Sequence, residues 1–293
     1  MTRLRPAPEE RDPRSRAAFG VVNLDKPPGP SAHEVTAWVR DALDVNRAAH
    51  AGTLDPKVTG SLPVLTGDAT RLAQVFLAGR KEYVAVLELH GPAPADTDAI
   101  LAEFETELYQ RPPRKSAVRR RLRTRRVHSL DVLDRDDRRL LLRIECASGT
   151  YVRKLCHDLG LALGTGAHMG DLRRTGTEPF DDTDLVTLHE VTDALAFAEE
   201  GTPGPLADAL APAERALSHL PRVTVAESAA REIAEGAPVY APGVLDVSWS
   251  DDPPTDELLA CYTPSGSAVC LGRLVGDPSA ERGEVVSLER VLV

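Results

Sequence analysis

The hydrophobic pattern of this chain changes character once, and that change bounds what it can fold into. Between residues 19 and 180, apolar runs of strand character alternate with stretches whose apolar residues recur about every three to four positions. From Leu220 onward the runs RVTVAE, VYAPGVL, ELLACYT, AVCLGRLVG and VVSLERVLV follow one another with Pro or Gly turns, interrupted by one short helical stretch, SAAREIAEGA. The first pattern predicts a sheet with helices packed on it and the second a small β-barrel-like module. A chain of 293 residues suits one large or two modest domains. Residues 1–18 mix Arg, Pro and Glu without apolar period, which predicts a flexible tail ahead of a domain over 19–219 and a second unit over 220–293. The Pro/Gly cluster GTPGP at 201–205 is a candidate break.

Within the first unit the local signals are specific. GVVNLDKPPGP reads as a strand entering a turn, and Ser31 with Glu34 forms a capping-box pattern ahead of Val35, Trp38, Val39 and Leu43 at helical spacing. HAGTLDPKVTG, residues 50–60, has two glycines, a proline and little period, so it reads as a structured loop. LAQVFLAG reads as a helix; EYVAVLELHG reads as a strand buried on both faces, and RLLLRIECA as a further strand. After the SGT turn, Val152, Leu155, Leu159 and Leu163 recur at helical spacing and Gly164 is a stop, which sets Tyr151 and Arg153 at a strand-to-helix junction.

Charge separates the functional classes. The net charge of −10 argues against a basic nucleic-acid binder of the ordinary kind. Its distribution argues the other way, because Arg111, Arg114, Lys115, Arg119, Arg120, Arg121, Arg123, Arg125 and Arg126 follow one another without an acid between them. Residues 220–293 instead hold twelve acids against five Arg and no Lys. Thirty Arg against five Lys, with abundant Asp and Glu, fits adaptation to concentrated salt; a GC-rich genome that favours arginine codons would give the same bias. No run reaches the ~20 apolar residues of a membrane span, and the start lacks the apolar stretch of a secretory signal, so the cytoplasm is expected. Cys146, Cys156, Cys261 and Cys270 have neither C-x-x-C spacing nor a histidine at zinc-finger distance, which predicts reduced, partly buried thiols.

An Asp-Pro in a glycine-flanked loop is by itself a turn former. The loop HAGTLDPKVTG, however, resembles the catalytic loop of the pseudouridine synthases of the TruB and dyskerin family. NLDKPPGPSAHEV is similar to that family's first motif, LPVLTGDATRLAQ and KEYVAVLELHG to its next two, and GTYVRKLCHDLGLALGTGAHMGDLRRTGTEPF to its last catalytic block, all in the family's order. The C-terminal unit resembles the RNA-binding PUA domain more loosely, through Gly236, Ala237, Pro242 and Gly243, without that domain's usual basic character. ELYQRPPRKSAVRRRLRTRR is similar to the short basic segment of the archaeal box H/ACA subunits; it has neither the longer bacterial insertion nor the lysine-rich eukaryotic tails.

This resemblance implies an α+β catalytic domain with a mixed, largely antiparallel sheet, followed by a small β-barrel-like PUA module. It implies conversion of specific uridines in ribosomal or transfer RNA to pseudouridine, without cofactor or metal. Asp55 is the implied catalytic carboxylate, Arg153 its bidentate partner, and Tyr83 the ring that stacks on the target base. Tyr151 and Leu172 are implied pocket residues, and His50 a residue that helps displace the extruded base. Lys26 buttresses the loop or touches phosphate, and Arg119, Arg120 and Arg121 contact the RNA backbone. A reference aspartate titrates near ~3.9, and an adjacent arginine lowers that further, so Asp55 is expected to stay ionised. The implied partners are a guide RNA, a small zinc-ribbon protein, a small β-barrel protein that governs turnover and a kink-turn binder. Two rival readings remain at this point: a stand-alone enzyme for the tRNA T-loop uridine, and a non-catalytic RNA-binding scaffold.

Overall fold

The computed structural model of the chain describes residues 4–112, 121–249 and 253–293. The first unit is built on strands β1 (Phe19–Lys26), β2 (Ala48–His50), β3 (Thr59–Gly67), β4 (Lys81–Leu89), β5 (Glu107–Gln110), β6 (Arg123–Asp136), β7 (Arg139–Cys146), β8 (Ala167–Thr177) and β9 (Ala211–Pro212). They form one sheet in the order β5-β6-β7-β4-β8-β3-β1-β9, with β2 added to β3. Its described pairs are antiparallel except β3 with β8, which run parallel. The helices are α1 (Pro13–Ala18), α2 (Ala32–Ala42), α3 (Val75–Ala78), α4 (Thr97–Ala102), α5 (Val152–Ala162), α6 (Leu188–Glu199), α7 (Gly204–Ala209) and α8 (Glu227–Ala234). The second unit carries α8 and a barrel-like sheet of β10 (Arg222–Val225), β11 (Val239–Tyr240), β12 (Val244–Val247), β13 (Leu259–Tyr262), β14 (Ala268–Leu274) and β15 (Glu284–Val291). The α+β class with a mixed, largely antiparallel sheet is therefore observed.

Local chemistry explains the elements that matter for the site. Ser31 accepts from the Glu34 amide while the Glu34 carboxylate accepts from the Ser31 amide, so α2 starts where the capping box predicts. Val35 and Val39 of α2 join Leu155 and Leu159 of α5 and Val191 of α6 in one apolar cluster against the sheet. Gly160 lets α5 pass close to β8, since a Cβ there would sit 2.1 Å from the Ala167 nitrogen. All four cysteines are free and buried. No helix among the described residues is long and apolar enough to cross a membrane.

Four expectations change. β4 alternates instead of being buried on both faces: Lys81, Tyr83, Ala85, Leu87 and Leu89 point into the core, while Val84 and Val86 are half-covered. LAQVFLAG is not a continuous helix: Leu72 ends a 3-10 turn that begins at Asp68, and only Val75–Ala78 form the single turn α3, with Leu72, Val75 and Phe76 buried. GTPGP is the corner between α6 and α7 within the first unit, and Leu206 and Ala209 just after it are buried.

The expected flexible tail is packed in its described part. Arg11 is 4% exposed and meets both carboxylate oxygens of Glu214 at 2.8 and 2.6 Å, as well as the Ser267 hydroxyl at 3.0 Å. The Arg5 guanidinium lies 4.0 Å from the centre of the Phe19 ring and donates to the Leu292 carbonyl. The segment is anchored by arginines with fixed acceptors, which apolar periodicity cannot reveal.

Candidate active site

Asp55 lies in the connection between β2 and β3, and Arg153 in the first turn of α5. The two are joined as an ion pair, each about half exposed, at a surface open to a large substrate. Solvent screening makes such a pair a weak source of stability, so its value here is orientation of the carboxylate.

The loop is held from beneath by two buried cations. The Lys26 ammonium has no exposed surface and donates to the carbonyls of Pro27, Pro56 and Val58, each at 2.9 Å. Burial pulls it below the usual lysine range. A phosphate contact for Lys26, and with it a place among the substrate-binding residues, is thereby corrected: this side chain buttresses the loop. Arg174, 1% exposed, donates from Nε to the Ser61 carbonyl at 2.7 Å and from Nη2 to the Gly52 carbonyl at 3.3 Å. Glycine is required at both ends of the loop. Gly52 has φ +122°, and Gly60 has φ +98° and passes so near β8 that a Cβ would meet the Arg174 carbonyl at 2.1 Å.

Tyr83 and Leu172 come from the adjacent strands β4 and β8, in the registers Tyr83–Arg174 and Ala85–Leu172. Tyr83 is 9% exposed. Burial pushes its phenol upward, while the positive charge of Arg174 on the neighbouring strand pulls the other way. Leu172 is half-buried and packs on the main cluster. Tyr151 is the N-cap residue of α5, and its backbone is clamped by the buried Gln110, whose Oε1 accepts from the Tyr151 amide at 2.8 Å. Beside Arg153 a cavity of ≈ 670 Å³ is walled by Tyr109, Leu122, His168 and Met169.

His50 ends β2 and stands in edge-to-face contact with His33, ring centres 5.6 Å apart. Burial lowers its imidazole, and His33 and Arg174 add to the effect, which favours the neutral ring. Arg121 is exposed just before β6, whereas Arg119 and Arg120 lie outside the described residues. Among the described residues no group of three or more His, Cys, Asp or Glu could hold a metal ion. Sequence reasoning missed Arg174, Gln110 and His33. The nearest signal was the second arginine of GDLRRTG, beside Leu172.

Residues 40–152 match the TruB family pseudouridylate synthase N-terminal domain, residues 153–218 the tRNA pseudouridylate synthase B C-terminal domain, and residues 6–36 the DKCLD domain. The chain is 65% identical to the probable tRNA pseudouridine synthase B of Haloarcula marismortui, over 99% of this chain and 94% of that protein. It is 64% identical to the one of Halobacterium salinarum, over 99% of each. Among solved structures, a Cbf5-Nop10-Gar1 complex matches with a TM-score of 0.91 and 42% identity, over 100% of this chain and 91% of the other. An H/ACA RNP bound to a substrate RNA containing 2′-deoxyuridine matches with a TM-score of 0.90 and 39% identity, over 100% and 92%. The matched family models and the similarity to these relatives over nearly the whole chain lead to one assignment: the chain belongs to the TruB family of pseudouridine synthases.

Proposed function

We propose that Asp55, Arg153 and Tyr83 form the reaction centre at which this pseudouridine synthase isomerises uridine, and that the substrate is ribosomal or transfer RNA presented by a box H/ACA guide RNA. In the reaction the N1–C1′ bond breaks, the uracil turns, and C5 bonds to C1′; no atom is gained or lost. A carboxylate ionised at neutral pH is suited to act on the sugar or base, as nucleophile or as base. The Asp55–Arg153 ion pair is the observation that carries this reading, because it holds such a carboxylate at an open surface with one orientation.

The other residues take supporting roles in the same reading. A uracil that must rotate cannot react inside a helix, so the nucleotide is extruded at a cost of a few kcal/mol. Tyr83 and Leu172 then receive its faces, Tyr151 lines the pocket mouth, and the neutral His50 stands where the base has left its stack. Arg119, Arg120 and Arg121 neutralise backbone phosphates, and the six-stranded unit serves as a PUA module for RNA. Guide dependence is favoured by similarity over the whole chain to the catalytic protein of H/ACA particles, which brings with it partners of the zinc-ribbon, small β-barrel and kink-turn-binding kinds. The names of the curated relatives favour guide-free action on tRNA as a second substrate mode. The cytoplasm of a salt-adapted archaeon is the setting that fits these substrates and the charge pattern.

The test is tritium release from RNA labelled at uracil C5, in concentrated KCl, for wild type and Asp55→Asn, with and without guide RNA and partner proteins. Release by the wild type alone is expected, and its dependence on guide selects the substrate mode. RNA binding without release under any condition would leave only a scaffold role.

A further inference from the structure

The cavity of ≈ 670 Å³ beside Arg153 is not used by the reaction as derived above, although its size lies within the range of ligand pockets. Its walls are of two kinds. Leu122, Met169 and the Tyr109 ring make an apolar side, and Arg111 joins Arg153 on a positive rim. Lys154 and His157, on the same wall, are already turned to Asp158. Arg111 is exposed, and among the described residues no hydrogen bond or ion pair engages it. Tyr109 is the most exposed of the five tyrosines, at 74%, and among the described residues its side chain has neither a hydrogen bond nor a ring contact.

The backbone that carries this ring is nevertheless fixed. Tyr109 lies on β5, the end strand of the first sheet, opposite Thr124 of β6. The next residue, Gln110, is 2% exposed, and its Oε1 accepts from the amide of Tyr151 at 2.8 Å, two residues before Arg153. Strand and helix are thereby pinned together, so Tyr109 keeps a set place relative to the Asp55–Arg153 pair. Extrusion of the target uridine creates a demand that such a ring meets. A base inside a stack has both faces covered, and removing one base bares a face of its neighbour. A tyrosine can cover that face whatever the base is, because every base has a π-face, and a guanidinium beside it can meet the phosphate.

We propose that this cavity is a nucleobase subsite: Tyr109 stacks on the unpaired nucleotide next to the extruded uridine, and Arg111 neutralises that nucleotide's phosphate. The proposal rests on the reaction centre assigned above.

The test places 2-aminopurine, a fluorescent base quenched by stacking, on either side of the target uridine, in RNA bound to the full assembly with guide RNA and partner proteins. Asp55→Asn is the background, so binding is read without turnover. At one of the two positions, fluorescence is expected to be quenched with Tyr109 and with Tyr109→Phe, and to recover in Tyr109→Ala. At the same time Kd for intact RNA should rise by about 5- to 100-fold in Tyr109→Ala, the range of one stacked base. On RNA that is abasic at that position, the alanine substitution is expected to change Kd by less than about threefold. Fluorescence unaltered by Tyr109→Ala at both positions, or equal losses of affinity on intact and abasic RNA, would overturn the subsite. So would a urea midpoint lowered by Tyr109→Ala, which would make the exposed ring part of the scaffold. Absence of tritium release from the wild type would instead sink the reaction-centre reading, so the two failures are separable.

Discussion

Lys81 lies 3% exposed at the start of β4, and its ammonium donates to the carbonyls of Phe76 and Gly79 at 3.1 and 3.2 Å. Burial, reinforced by Arg174, lowers it from 10.5 to about 8. Above 10.5 the amine is neutral in both folded and unfolded chains and carries no penalty; below about 8 it is charged in both, and the folded state bears the cost of the buried charge. Between those limits the unfolded chain binds more protons, so this residue makes stability rise with pH and fall as pH falls through the folded value. At ~1.4 kcal/mol per pH unit, the full difference is about 3 kcal/mol. Other groups titrate in the same window, including the Cys146 thiol that burial raises to about 11, with the opposite sign. The informative quantity is therefore the difference between wild type and Lys81→Met, measured by urea unfolding at constant KCl from about pH 7 to about pH 10.5. Relative to the variant, the wild type should gain about 3 kcal/mol across that range. Parallel stability curves would mean that the folded amine titrates as it does in water, and the reasoning from burial would fail.

Other outcomes follow from the packing. Glu214→Gln leaves the buried Arg11 without its counter-charge and is expected to cost about 3–5 kcal/mol; a loss below about 1 kcal/mol in urea unfolding would show that the N-terminal segment contributes little. Gln110→Met strands the Tyr151 amide and should destabilise by about 1–3 kcal/mol, with a fall in kcat for tritium release; an unaltered kcat would separate the clamp from the reaction centre. Refolding across KCl concentration should show stability lost in dilute buffer, as a net charge of −10 implies, and full stability there would count against salt adaptation.

The features that could be read from the sequence are those with a local cause. The Ser31–Glu34 box fixes the start of α2 through two reciprocal bonds within four residues, so its pattern and its structure coincide. The aspartate loop is likewise punctuated by its own glycines and proline, and Tyr83 stands out in a chain poor in aromatics, whereas Arg153, one of thirty arginines, is marked only by its strand-to-helix junction and the family resemblance. Arg174 and Gln110 escaped because their meaning is long-range. A charged or amide side chain reads as surface until its strand is placed: β8 lies between β4 and β3, β5 lies at the sheet edge where Gln110 meets the start of α5, and the acceptors of Arg174 lie more than a hundred residues away along the chain. β4 was misjudged for a related reason: Val84 and Val86 are apolar but only half-covered, and a run of valines does not distinguish one buried face from two. The opening arginines belong to the same class, since Arg11 is interpretable only once Glu214 is beside it.

The apolar cluster around Phe19 and Val21 of β1 has a consequence for synthesis of the protein. It is closed by Ala260, Tyr262, Ala268, Leu271 and Leu292, so β1 finishes its packing only against residues translated far later along the chain. Until then the nascent chain exposes the face of β1 that carries Phe19, together with Leu65, Leu72 and Phe76, while the opposite face can already close over α2 and α5. That seam joins the two sheets through side chains of both, and removing either set would uncover it.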